Sequence, residues 1–282
     1  MSGRLFVVGT PIGNLNDLSP RGLQALEEAD FIAVEDTRVT LKLLTHFGLK
    51  KSLVSYHDHN LRQKGEEILA RLSQGESCAI VTDAGMPCIS DPGEDLVRLC
   101  RQAGIPVSVV PGPSAAISAL AISGLATSRF SFEGFLSVKK NSRREHLLSL
   151  QQDPRTLIFY EAPHKLVETL KDLYAYLGDR EIALCRELTK IHEEVIRTTL
   201  SQAQQLYLNQ SPRGEFVLVV AGALVQEDEE ALPLPQAVEL VLQRVQQGQP
   251  LSQSAKEVAS ITGFKKGELY KAALERSGDS QP

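Results

Sequence analysis

The sequence predicts an α/β protein: two α/β domains in tandem, then a small C-terminal helical domain. Three observations carry that expectation. Short β-prone runs alternate with amphipathic helical patterns, several of the runs end in loops rich in glycine and proline, and the pattern after residue 235 is helical throughout.

The first domain is expected over residues 1–125. Its strands are Leu5–Val8, Phe31–Val34, Leu53–Ser55, Cys78–Thr82 and Val107–Val110, with helical patterns between them, which implies a parallel or mostly parallel sheet. "LFVVG" is apolar without alternation, as a strand buried on both faces must be. Ser19 before Pro20 and Asp91 before Pro92 each pair a capping residue with a proline suited to the first helical position. Gly48 and Gly104 mark helix stops. The second domain, residues 126–224, carries strands at Phe130–Gly134, Thr156–Tyr160, Glu181–Cys185, Glu194–Thr199 and Phe216–Ala221. "VQEDEEALPLP", residues 225–235, is acidic and proline-bearing and reads as a linker. Residues 236–282 are helical, and two amphipathic helices meeting at Thr262 and Gly263 have helix-turn-helix spacing, a pattern shared by nucleic-acid binders and plain packing units.

Composition excludes several classes. No apolar run among the 282 residues approaches the roughly 20 needed to span a bilayer, and "MSGRLFVVG" lacks a signal peptide's long apolar stretch, so a cytoplasmic protein with no membrane partner is expected. A net charge of −5 argues against a protein that coats nucleic acid indiscriminately, though local basic patches remain possible. Cys78, Cys88, Cys100 and Cys185 form no C-x-x-C pair and read as free thiols in a protein without a metal.

The first loop, "GTPIGN", raises the question of what it holds. Gly9 and Gly13 match neither phosphate-binding spacing, Pro11 removes a donor, and no lysine follows Gly13. "DAGMPCISDPG" and "PGPSAA" follow the fourth and fifth strands, so three such loops leave one sheet edge, where ligands of open parallel sheets bind. Asp83 and Asp91 lie here with no Lys or Arg between Asp83 and Gly93, a balance that disfavours a highly phosphorylated ligand and suits a cationic one such as a sulfonium. "VEDTR" and "SYHDHN" follow strands that face the same edge. Asp36 or Thr37, and Asn60, are there as helix caps or as substrate contacts. His57 and His59 lack a third metal ligand and suit proton transfer or RNA contact better. "SVKKNSRREH" sets Lys139, Lys140, Arg143 and Arg144 against Glu145 alone, and Lys265 with Lys266 form a second cationic patch; each is a solvated face or a phosphate-binding one.

"VVGTPIGNLNDLSPRGLQALEEADFIAVEDTR", "SYHDHN", "DAGMPCISDPG", "VPGPSA", "FYEAPHKL", "CRELTKIHEE" and "GEFVLVVAG", in this order over about residues 4–276, resemble the tetrapyrrole methylase superfamily, and within it the branch that methylates small-subunit ribosomal RNA. The resemblance implies two α/β domains with S-adenosyl-L-methionine in the cleft between them, and a homodimer. It also implies methyl transfer to the ribose 2′-hydroxyl of a decoding-centre cytidine of 16S rRNA in the small ribosomal subunit. By similarity the cofactor contacts fall on Ile12, on Ala84, Gly85, Met86 and Ile89, on Ser114 and Ala115, on Phe159 or Tyr160, and on Glu215, Phe216 and Val217. Met86 replaces the branch's usual threonine, and Asp58 and Leu61 replace two usual glutamates. The first loop resembles one that lets backbone approach cofactor and substrate. Glu35, Asp36, His57 and His59 are the candidates to accept or orient the hydroxyl proton, and Arg38 joins the lysine- and arginine-rich stretches as a phosphate contact. The alternatives are a methylase of the same superfamily acting on a tetrapyrrole or a protein, and a non-catalytic RNA-binding assembly factor. A nicotinamide dehydrogenase is disfavoured, since no dinucleotide fingerprint follows the first strand.

Overall fold

The computed structural model describes residues 3–208, 210–224 and 232–278; most of the expected linker, residues 225–231, lies outside the described residues. The chain divides into two compact units, Met1–Ala223 and Leu224–Pro282.

The larger unit holds two five-stranded sheets. In the first, β1 (Leu5–Val8), β2 (Phe31–Val34), β3 (Ser52–Ser55), β4 (Cys78–Val81) and β5 (Val107–Val110) run parallel in the order β3-β2-β4-β1-β5. The second comprises β6 (Phe130–Phe135), β7 (Thr156–Glu161), β8 (Glu181–Arg186), β9 (Glu194–Thr199) and β10 (Phe216–Val220) in the order β6-β7-β10-β8-β9. Only β6 and β7 are parallel there; the other pairs are antiparallel. Every expected strand forms, with ends shifted by at most one residue.

Alternation of side chains explains why the first sheet's strands read as unbroken apolar runs. Leu5, Val7, Phe31 and Ala33 pack on one face with α3 (Leu61–Ser73) and α4 (Glu94–Gln102). Val8, Ile32 and Val34 pack on the other with α1 (Pro20–Glu28) and α2 (Thr37–His46). Both helix stops hold, with Gly48 at φ +72° and Gly104 at φ +67°. Ser19 caps α1 by accepting from the Gly22 N–H at 2.9 Å. Asp91, by contrast, caps nothing. Gly93 at φ +137° cannot continue a helix backwards, so α4 starts at Glu94, beyond the proline, and Asp91 stays in the preceding loop. Asn60 stands at the start of α3 without a capping bond; its amide closes the preceding turn, accepting from the His57 N–H at 3.0 Å and donating to the Ser55 carbonyl at 3.1 Å.

The expected boundary at residue 125 falls one helix after the packing changes sheets. α5 (Ala115–Ser123) follows β5 in the chain, yet its Ala116, Ala119 and Leu120 pack on the second sheet against Ile158, Ala183, Val217 and Val219. Those residues recur at helical spacing, and two alanines let helix and sheet approach closely. The opposite face of that sheet is covered by α6 (Lys140–Ser149), α7 (Leu166–Leu177) and α8 (Leu200–Tyr207).

The smaller unit consists of α9 (Leu234–Gln246), α10 (Leu251–Thr262) and α11 (Lys266–Gly278) around Val238, Val241, Val258 and Leu269. α9 begins two residues before the expected start at 236, and Gly263 at φ +75° ends α10. Among the described residues, no helix is long and apolar enough to cross a membrane.

Candidate active site

β4, β1 and β5 are neighbours in the sheet, so the three glycine- and proline-rich loops that follow them emerge side by side. The first loop is stitched to the second by a backbone pair, Thr10 N–H to Gly85 carbonyl at 2.9 Å and Gly85 N–H to Thr10 carbonyl at 3.2 Å. A Cβ on Gly9 would lie 2.6 Å from Met86 Sδ and 2.7 Å from Gly112 Cα. The close approach that Gly9 permits is therefore between loops. Gly13 meets the second half of the unit: a Cβ there would lie 2.5 Å from Lys190 Cγ. Next to it, the Asn14 N–H donates to Thr189 Oγ1 at 3.1 Å.

Between the two sheets lies a cavity of about 520 Å³. The first half supplies Ile12, Glu35, Thr82, Asp83, Ala84, Gly85, Met86, Ile89, Ser90, Asp91, Ser114 and Ala115. The second supplies Phe135, Tyr160, Glu161, Ala162, Pro163, Cys185, Leu188, Glu215, Phe216 and Val217. Every residue anticipated for the cofactor is among them except Phe159, whose ring is fully buried in the core beneath α7 because successive side chains of β7 point to opposite faces. Asp83 and Asp91, read as the acids that favour a cationic ligand, line it as well, and so do Glu161 and Leu188, to which the sequence assigned no role although they lie in stretches it singled out. Phe135 gave a fainter signal: Gly134, at φ +62°, marks a bulge in β6 that re-aims the next ring into the cavity.

Tyr160 anchors the wall. Its ring meets Phe132 and Phe135 edge-on at centroid distances of 5.0 and 5.5 Å. Its hydroxyl accepts from the Ala116 N–H at 3.2 Å, tying β7 to the start of α5. Burial pushes that phenol's pKa up.

Among the described residues, the lining carries five carboxylates, Glu35, Asp83, Asp91, Glu161 and Glu215, and no Lys, Arg or His. Glu35 Oε2 accepts from the Thr82 hydroxyl at 2.9 Å. Asp83 Oδ1 accepts from the Asp36 N–H at 3.1 Å, and burial pushes its pKa up. Glu161 accepts from the Thr169 hydroxyl and, at 2.9 Å, from the Ala162 N–H. Glu215 pairs with Lys190 at 3.0 Å. Asp91 is pushed up to about 6, first by burial and then by the charge of Glu35. Cys185 is pushed up to about 11 by burial, so its thiol stays protonated.

Of the four residues anticipated for proton transfer, only Glu35 lines the cavity. Asp36 caps α2 through the Arg38 N–H at 2.8 Å and is gripped by the Arg38 guanidinium, which holds its carboxyl at about 2. His57 and His59 face each other at 5.9 Å outside the lining, and the buried Nδ1 of His57 has no hydrogen-bond partner among the described residues. Of the basic residues, Lys139, Lys140, Arg144, Lys265 and Lys266 are exposed. Arg38 is exposed too, but paired with Asp36. Arg143 is not a free cation: it bonds Asp172 at 2.6 Å and Thr169 at 2.8 Å, joining α6 to α7.

The family model described as Tetrapyrrole (Corrin/Porphyrin) Methylases matches residues 4–204. The chain belongs to this family. A second model, the RsmI C-terminal HTH domain, matches residues 232–277, over the three tail helices. Among relatives, a Ribosomal RNA small subunit methyltransferase I from Synechocystis is 46% identical, covering 98% of this chain and 99% of its own. Its namesake from Escherichia coli O157:H7 is also 46% identical, over 98% and 96%. A Thermotoga maritima protein of that name is 47% identical over 78% of this chain and 99% of its own. The methylase fold recurs in the methyltransferase CobJ, with TM-score 0.61 at 18% identity over 79% of this chain and 95% of that one. It recurs again in a Thermus thermophilus uroporphyrin-III C-methyltransferase complexed with S-adenosylhomocysteine, with TM-score 0.55 at 20% identity over 77% and 97%.

Proposed function

We propose that this tetrapyrrole methylase family member methylates a ribose 2′-hydroxyl of a decoding-centre cytidine in 16S rRNA, on the small ribosomal subunit, using S-adenosyl-L-methionine. The observation that carries the reading is the cavity's charge: five carboxylates and no cationic side chain favour a cationic ligand and disfavour a phosphorylated one. The residues present fit a sulfonium cofactor, which when bound supplies an electrophilic methyl group. Backbone of the Ala84–Met86 stretch and the start of α5, with Tyr160 and the Glu215–Val217 strand opposite, would hold it. The near-full-length relatives direct the choice of acceptor toward ribosomal RNA.

The chain's chief task is then to set the hydroxyl oxygen in line behind the methyl carbon, a positioning effect that supplies roughly 7–11 kcal/mol of the barrier. Glu35 orients that hydroxyl from the cavity wall. Lys139, Lys140 and Arg144, with Arg38, hold RNA phosphates near the body of the enzyme, and Lys265 with Lys266 do so on the tail. The exposed Val107 and Val109 on edge strand β5, with Ile117 and Ile122 on α5, support a homodimer as the working form.

Labelled S-adenosylmethionine, undermethylated small subunits and the purified protein test the reading directly. The expected product is one 2′-O-methylated cytidine at the decoding centre. Label on a tetrapyrrole or a protein, or none on the RNA, would overturn it.

A further inference from the structure

We propose that Asp91 accepts the proton of the attacking ribose hydroxyl, while Glu35 holds that hydroxyl in place. The inference rests on the function proposed above and names the proton acceptor within the same cavity.

The backbone around Asp91 is the first support. A Ser-Asp-Pro run ordinarily caps a helix, yet here α4 begins beyond it without a side-chain cap. Cys88 at φ +70° and Ser90 at φ +65° hold left-handed conformations that side chains larger than glycine rarely take, and the carboxyl that follows lines the cavity. A capping bond is forgone and strain is held on one short loop, and what both secure is the position of one acid.

The polar partners of the acids supply the second support: Thr82, whose hydroxyl bonds Glu35, also touches Asp91, and the remaining acids have partners of their own. Glu35 takes the Thr82 hydroxyl, Asp83 takes the Asp36 N–H, Glu161 takes Thr169 and Ala162, and Glu215 pairs with Lys190. Asp91 faces Glu35, Asp83, Asp58 and Cys88 from its own half and Tyr160 from the other, none of them cationic. These surroundings bring its pKa to about 6, close to the working pH at which a general base is most effective. On attack, the ribose oxygen bonds to the methyl carbon. The carbon–sulfur bond breaks with its electron pair passing to sulfur, and the hydroxyl proton passes to an Asp91 Oδ. The positive sulfonium and the negative carboxylate are both consumed, leaving a neutral thioether and a neutral acid.

The test compares wild type, Asp91→Asn and Asp91→Glu in single-turnover methyl transfer to undermethylated small subunits across pH 5–9, with calorimetry of S-adenosylhomocysteine and S-adenosylmethionine alongside. Asp91→Asn is expected to bind the neutral thioether within about threefold of wild type, to transfer methyl about 10²- to 10⁴-fold more slowly, and to lose the rise in rate near pH 6. Asp91→Glu should recover part of the rate and the rise. Binding of the sulfonium near pH 6 should release a proton in wild type and none in Asp91→Asn. Transfer within tenfold of wild type with the same pH profile, or a parallel loss of thioether affinity, would overturn the proposal. Failure of wild type itself to bind cofactor or label RNA would instead remove the underlying function.

Discussion

A side chain at position 9 has nowhere to go. With Gly112 Cα 2.7 Å and Met86 Sδ 2.6 Å from where a Cβ would stand, Gly9→Ala must push two loops apart, and urea denaturation should show a loss of about 1–3 kcal/mol. Ser19→Ala isolates a smaller effect, a lost α1 cap of about 1 kcal/mol with cofactor affinity unchanged. Asp36 gives a pH signature. Arg38 depresses its carboxyl to about 2, so the contribution of this cap is complete above pH 4 and is lost as pH falls toward 2. Asp36→Ala should abolish that part of the acid transition seen by circular dichroism. Asp91 runs the other way, since burial raises its pKa. The wild type bears the cost of an ionised buried acid above about pH 6, so Asp91→Asn should melt higher than wild type at pH 8, with the gap closing below pH 4.

At the scale of elements, the cationic stretch opening α6 separates two roles that look alike in sequence. Arg143 is locked between Asp172 and Thr169, so Arg143→Ala should cost about 1–3 kcal/mol of stability, chiefly because the Asp172 carboxylate loses its charged donor. Arg144→Ala should leave stability unchanged, weaken binding to small subunits, and reduce the salt dependence of that binding. Nothing in "KKNSRREH" distinguishes the two arginines, because the partners that fix Arg143 lie on α7, more than twenty residues downstream. The same limit explains the rest of what sequence alone leaves dark. Strands were legible because burial on both faces writes an uninterrupted apolar run, and the loop positions followed because strand ends fix them. The cap role of Asp91 was misread because the local Ser-Asp-Pro signal is overruled by Gly93. Phe159 and Tyr160 could be told apart only once the facing of β7 was known. The histidine pair looked reactive by composition, but the turn that carries it does not reach the cavity lining.

At the scale of the molecule, the tail is a separate unit with its own apolar centre, Val238, Val241, Val258 and Leu269, and the Thermotoga maritima relative matches only 78% of this chain while nearly all of its own length is used. A chain ending after Ala223 should therefore keep the melting temperature of the larger unit and its affinity for S-adenosylhomocysteine. Methyl transfer to small subunits is where the truncation should tell, as a raised KM if Lys265 and Lys266 contact phosphates.

α5 also dictates where this polypeptide can be severed and still reassemble. Because the helix is stitched into the later sheet although the earlier one precedes it in the chain, a cut at 112/113 keeps every fully buried apolar residue of the two sheets with its cluster, whereas a cut at 125/126 leaves an orphaned greasy helix on the wrong piece. Co-expressed halves from the first cut should reconstitute in soluble form. Those from the second should aggregate.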